Sequence, residues 1–176
     1  MKNIFFILLA VGQLSNAQKQ ISTPPSRVSF DDFKALVNEV ENHRAERLIA
    51  LDDFLAISTK ENVVILDTRS DKRYDQKHIK GAIHLDFTDF THKNLRALIP
   101  DTETKILIYC NNNIENDSIH FATKMVLPVQ ENNLALALNI PTYINLYGYG
   151  YKNVYELSEL VGVKDSRIEF EGKAVK

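Results

Sequence analysis

Two kinds of apolar pattern alternate along this chain. Continuous β-branched runs occur at Val63-Val64-Ile65-Leu66 and Lys105-Ile106-Leu107-Ile108-Tyr109, and both are bounded by polar residues, as buried parallel strands are. Shorter runs predict further strands at Arg47-Leu48-Ile49, Ala82-Ile83-His84-Leu85, Thr142 to Leu146 and Val154-Tyr155-Glu156-Leu157. Between them lie helical spacings. Ser29 is placed to cap a helix carrying Phe30, Phe33, Leu36, Val37 and Val40 on one stripe. Leu51 to Ala56 reads as a small helix, Tyr74 to His78 as one turn, and Phe90 to Leu98 as a helix stopped by Pro100. A further helix is expected from Asp117, with Ile119, Phe121, Ala122, Met125 and Val126 on its apolar face and Pro128 at its end. Another is expected to begin within Leu134 to Leu138, and Tyr147 to Tyr151 reads as a turn. Strands alternating with helices predict an α/β fold with a parallel sheet covered on both faces.

The ends read differently. Lys2, the apolar stretch Ile4 to Val11 and the small residues Ser15-Asn16-Ala17 have the form of a secretory signal, residues 1–17. The apolar stretch is too short for a bilayer, and no later one is long enough, so no membrane span is expected in the mature chain. Residues 18–45 then hold a polar linker with Pro24-Pro25 and the N-terminal helix, 46–165 the main domain, and 166–176 a C-terminal tail. The expected location is the periplasm or the exterior. A net charge of −2 offers no basic footprint for nucleic acid. Neither zinc-type Cys/His spacing nor a phosphate-binding glycine loop is present in the sequence, so no metal and no cofactor is expected.

Cys110 is the single cysteine. It ends the second strong strand, and the polar loop Asn111-Asn112-Asn113-Ile114-Glu115-Asn116 follows. Loop N–H groups and a helix N-terminus favour an anion, so this position suits a thiolate; it equally suits a buried core cysteine. Asp67 and Arg69 fall at the end of the other strong strand, where ligands gather in such sheets, and where a structural Asp–Arg pair would also tie down loops. His78 and His84 read as structural. Cys-x5-Arg phosphatase chemistry is excluded, because Asn116 stands where the phosphoryl-clamping arginine would be.

These residues together carry a resemblance. Val64-Ile65-Leu66-Asp67-Thr68-Arg69, Tyr74, His78-Ile79-Lys80-Gly81-Ala82-Ile83-His84-Leu85, Ile106 to Cys110, and Gly150 to Leu157 resemble the rhodanese family over roughly Arg47 to Leu160. The resemblance implies a three-layer fold with a central parallel sheet of about five strands, here with an extra N-terminal helix. It also implies a sulfurtransferase in which Cys110 takes a sulfane sulfur as a persulfide and passes it to a thiol or cyanide-type acceptor. The partners would be a small sulfur-containing substrate or a thiol acceptor protein. Asn111, Asn112, Asn113, Ile114, Glu115 and Asn116 would cradle the persulfide through backbone N–H groups, with Asp67 and Arg69 beside them.

The chain departs from the family pattern in three places. The loop after Cys110 has no Lys or Arg before Lys124, Leu127 to Tyr147 is long, and Ser158-Glu159-Leu160-Val161 replaces the usual closing glycines and tryptophan. The amides are expected to depress the Cys110 pKa below the ordinary thiol value of about 8.5, against opposition from Glu115 and Asp117. A non-catalytic binding or regulatory module, and a single-cysteine redox protein, are the competing functions.

Overall fold

The computed structural model describes residues 26–124 and 137–175. In chain order its helices are α1 (Phe30–Ala45), α2 (Leu51–Ser58), α3 (Asp71–Gln76), α4 (His92–Leu98) and α5 (Asn139–Gly148). Its strands are β1 (Leu48–Ile49), β2 (Val63–Asp67), β3 (His78–Ile79), β4 (Ala82–His84), β5 (Lys105–Tyr109), β6 (Ile114–Glu115), β7 (Val154–Leu157), β8 (Val161–Gly162) and β9 (Phe170–Glu171). A five-stranded sheet of order β1-β7-β5-β2-β4 forms the middle layer, and every pairing in it is parallel.

The β-branched runs build the centre because both faces of β2 and β5 are covered. On β5, Ile106 and Ile108 point into one core with Val40, Leu95, Tyr143 and Leu146, from α1, α4 and α5. Leu107 and Tyr109 point into the other with Leu51, Phe54, Phe121 and Leu157. This alternation is the period-two geometry of a strand. Each fully buried Leu or Ile contributes about 1.5–3 kcal/mol. The register sets Asp67 level with Tyr109 on β5 and with His84 on β4, so the carboxyl ends of the strands are flush and Cys110 lies just beyond them.

The N-terminal helix forms as its pattern predicts, with Ser29 Oγ accepting from Asp32 N at 3.1 Å. Its packing is confined to its later turns. Val40 is buried and Leu36 and Val37 pack on the core, whereas Phe30 and Phe33 are exposed. Residues 166–175 lie along α3: β9 pairs antiparallel with β3, and Lys173 N and Ala174 N donate to Asp75 and Gln76 carbonyls. No helix among the described residues is long and apolar enough to cross a membrane.

Two elements differ from the sequence reading. Thr142 to Leu146 is helical, inside α5, not a strand. The buried residues Asn139, Thr142, Tyr143, Leu146 and Tyr147 recur at helical spacing, and Pro141 sits in the first turn, where its missing N–H costs nothing. Residues 117–124 form a single turn and then irregular chain, not the expected helix. Asp117 accepts from His120 N through its side chain and from Phe121 N through its carbonyl, and Ile119 is exposed while Phe121 is buried, so the stripe has no continuous face. The expected helix end at Pro128 and most of Leu134 to Leu138 fall outside the described residues; Leu138 itself is the N-cap of α5.

Candidate active site around Cys110

Cys110 closes β5 in extended backbone and starts a short 3-10 turn, Asn111–Asn113. It is buried, with about 1% of its surface exposed. Its Sγ accepts from Asn112 N at 3.4 Å, and the backbone amides of Leu138 and Asn139, at the start of α5, lie on its other side and favour its anion. The sulfur therefore faces amides from two separate segments, one of them a helix N-terminus.

The six loop residues have different tasks. Asn112 contributes the N–H just named, and its side chain clamps Lys124: Oδ1 accepts from Lys124 N at 3.1 Å and Nδ2 donates to Lys124 O at 3.0 Å. Asn111 Oδ1 accepts a long bond from Arg69 Nη1, 3.4 Å. Asn113 is the brace. Its Oδ1 accepts from Cys110 N at 2.9 Å and from Asn139 Nδ2 at 3.0 Å, and its Nδ2 donates to the Leu157 carbonyl at 2.8 Å. Ile114 is buried in the core and pairs with Val161, and Glu115 is exposed on β6. Asn116 takes φ 65°, the left-handed conformation that asparagine tolerates.

Asp67 and Arg69 form a buried fork. Arg69 Nε donates to Asp67 Oδ1 at 2.9 Å and Nη2 to Oδ2 at 2.6 Å. Nη2 also donates to Lys77 O at 2.7 Å and Nη1 to His120 O at 3.2 Å. The guanidinium lies over the Phe121 ring at 4.5 Å, and Tyr109 Oη donates to Asp67. Burial opposes the Arg69 charge, but the Asp67 bonds and charge outweigh it and its pKa is raised. Arg69 thus holds the α3 end and the turn at His120 against the sheet. Asp117 is bound by Lys77 at 2.9 Å and by His120 Nδ1 at 2.9 Å. Burial raises its pKa, and those bonds more than reverse that, leaving its carboxyl below the ordinary range.

A cavity of about 540 Å3 opens at the carboxyl end of the sheet, bounded by Arg69, Arg73, Asp86, Asn111, Lys124 and Leu138 among others; Asn111, next in sequence to Cys110, is in its wall, and the buried Cys110 is behind it. The loop lacks cations, but the fold brings Arg73 from α3 and Lys124 from the end of the turn to this wall. A small anion entering this cavity meets both.

Electrostatics at the sulfur depart from expectation. Burial pushes the Cys110 pKa up, and the amides of Asn112, Asn139 and Leu138 offset this only in part. The carboxylate acting on the sulfur is Glu156 of β7, in place of the expected Glu115 and Asp117. Glu156 was hidden inside a strand pattern; a charged residue within Val154-Tyr155-Glu156-Leu157 was the one signal of it. Leu138 and Asn139 carried no signal at all, because backbone N–H groups have no residue-type signature.

The Rhodanese-like domain family matches residues 50–159. The chain belongs to this family. A curated relative, thiosulfate sulfurtransferase GlpE of Coxiella burnetii (strain RSA 493 / Nine Mile phase I), is 32% identical over 60 residues, 34% of this chain and 53% of that protein. The chain thus spans about half the length of the curated relatives it matches. Among solved structures, the BH2092 protein from Bacillus halodurans is 19% identical with TM-score 0.46, over 78% of this chain and 87% of that one. A structure titled rhodanese with anions from E. coli is 19% identical with TM-score 0.39, over 62% of this chain and 98% of that one. Membership in the rhodanese-like family supports a function of sulfurtransferase type in general terms.

Proposed function

We propose that the chain is a sulfurtransferase that carries sulfane sulfur as a persulfide on Cys110. The observation that supports it most is the set of Asn112, Leu138 and Asn139 amides around the Cys110 sulfur, with a cavity walled by Arg73, Lys124 and the adjacent Asn111 close by. In this reading the Cys110 thiolate attacks the outer sulfur of an anionic donor such as thiosulfate. The sulfur–sulfur bond of the donor breaks, and sulfite leaves with its electron pair. Cys110 then holds the sulfur as a persulfide whose negative charge the amides stabilise. A thiol or cyanide-type acceptor, as its anion, attacks the terminal sulfur and returns the Cys110 thiolate, so no external oxidant or reductant is needed. Incubation with thiosulfate and other sulfane-sulfur donors, followed by mass spectrometry, should show one added sulfur on Cys110, removable by cyanide. Absence of that adduct with every donor would overturn the proposal.

The same reading puts the reaction outside the cytoplasm, supported by Lys2, the Ile4 to Val11 stretch and Ser15-Asn16-Ala17. Protein recovered from an exporting host should begin at Gln18; recovery of full-length chain in the cytoplasm alone would count against export.

A second reading, a non-catalytic binding module, is favoured by the burial of Cys110 and its raised pKa. Both leave little thiolate at neutral pH, and the donor experiment separates the two readings.

A further inference from the structure

The family match begins at residue 50, and α1 lies before it, yet α1 reaches the site. Arg44, in its last turn, grips Glu156 of β7 with two bonds: Nε to Oε2 at 2.6 Å and Nη2 to Oε1 at 2.7 Å. Glu156 is buried, about 4% exposed. Its Oε1 also accepts from Asn139 Nδ2 at 3.0 Å, and that same Nδ2 donates to Asn113 Oδ1. Asn113 Oδ1 in turn accepts from Cys110 N. An unbroken polar chain therefore runs from the added helix through Glu156, Asn139 and Asn113 to the cysteine backbone. Both ends of the amide cradle, the turn at Asn113 and the helix start at Asn139, are fastened to it.

We infer that the Arg44–Glu156 pair is a charge clamp through which the N-terminal helix positions the Cys110 cradle and tunes the reactivity of its sulfur. The inference rests on Cys110 being the reactive group of the proposed function. Glu156 places a negative charge that acts on the sulfur, and Arg44, bound to it, counters that charge in part. Two further groups face Glu156 and are neutral in the relevant range: Tyr143 of α5, which donates to the Val154 carbonyl and meets His43 Nδ1 at 2.9 Å, and Asn139. Arg47, just after α1, is the second cation on this side: its carbonyl accepts from Glu156 N at 2.9 Å, and its charge acts on Tyr143. The Coulombic influence of Glu156 on Cys110 runs in the direction the clamp requires.

The two partners should then shift the thiol oppositely, which a purely structural role would not do. The readout is the iodoacetamide rate of Cys110 against pH in the full chain, with folding checked by circular dichroism and thermal melting. Glu156→Gln keeps an acceptor for Asn139 and removes the charge. Its alkylation should be roughly threefold to tenfold faster at a fixed pH below the thiol midpoint, with the midpoint moved down. Arg44→Gln leaves Glu156 uncompensated and should slow alkylation by a similar factor, with the midpoint moved up. Arg44→Lys should restore most of the wild-type profile, and the Arg44→Gln/Glu156→Gln double variant, with neither charge, should fall between wild type and Glu156→Gln. Faster alkylation in both single variants would mean that loss of packing has merely exposed the thiol, and would overturn the clamp. Unchanged profiles in folded variants would overturn it too. Alkylation does not depend on sulfur transfer, so failure of the clamp and failure of the persulfide proposal are read separately.

Discussion

Replacing Arg69 with methionine is expected to remove about 3–5 kcal/mol of stability, the usual cost of orphaning one partner of a buried ion pair. Asp67 is fully buried, and Arg69 supplies its ionic partner. Methionine fills similar volume and could still pack on Phe121, but it cannot donate. The change would also strip the Lys77 and His120 carbonyls of their donor, releasing the α3 end and the turn on which Asp117 and Lys124 depend. For a chain of this size the melting temperature should fall by roughly 10 °C or more. Arg69→Lys should recover only part of it, because one ammonium cannot replace the forked bonds to Asp67 and two carbonyls. Urea unfolding of the three proteins measures this directly. A loss under about 1 kcal/mol for the methionine variant would show that the fork contributes little and that Arg69 is retained for the cavity it lines.

The same fork shows what could be read in the sequence. Val63 to Leu66 and Ile106 to Tyr109 were legible as central strands because a continuous β-branched run is buried on both faces wherever it lies. The placement of Asp67, Arg69 and Cys110 at one edge of the sheet followed from strand polarity alone. Helix α5 was not legible as such. Thr142, Tyr143 and Ile144 favour strands locally, and the packing of Tyr143 and Leu146 on β5 and α1 overrode that preference. The Asp117 helix failed for the converse reason: its local spacing was helical, but among the described residues of its stripe Phe121 enters the core while Ile119 is exposed, and Asn112 binds the Lys124 backbone through both ends of its amide. The charge environment of Cys110 was the least legible part. Proximity in sequence pointed to Glu115 and Asp117, whereas the parallel sheet brings Glu156 alongside from β7, level with Ile108 on β5.

Replacing Cys110 with serine is expected to abolish sulfur transfer, by at least about a thousandfold, since no other cysteine can carry the sulfur. The fold should survive, because a serine hydroxyl is nearly isosteric and can accept from the same Asn112 amide. Residual transfer near the wild-type rate in a verified Cys110→Ser protein would eliminate the persulfide route. The variant also isolates the thiol's contribution to stability. Cys110 is an acid whose pKa is raised in the folded state by burial, so the folded chain holds that proton more tightly than the unfolded one. The resulting stabilisation is fully present below the ordinary thiol pKa and is lost as pH rises through the raised folded value. Melting temperatures of wild type and Cys110→Ser should therefore run parallel near neutral pH, and the wild type should fall away faster above it. Wild type that gains on the serine variant with rising pH would mean that the amides at Asn112, Leu138 and Asn139 prevail over burial and that the folded thiol ionises more readily than a free one.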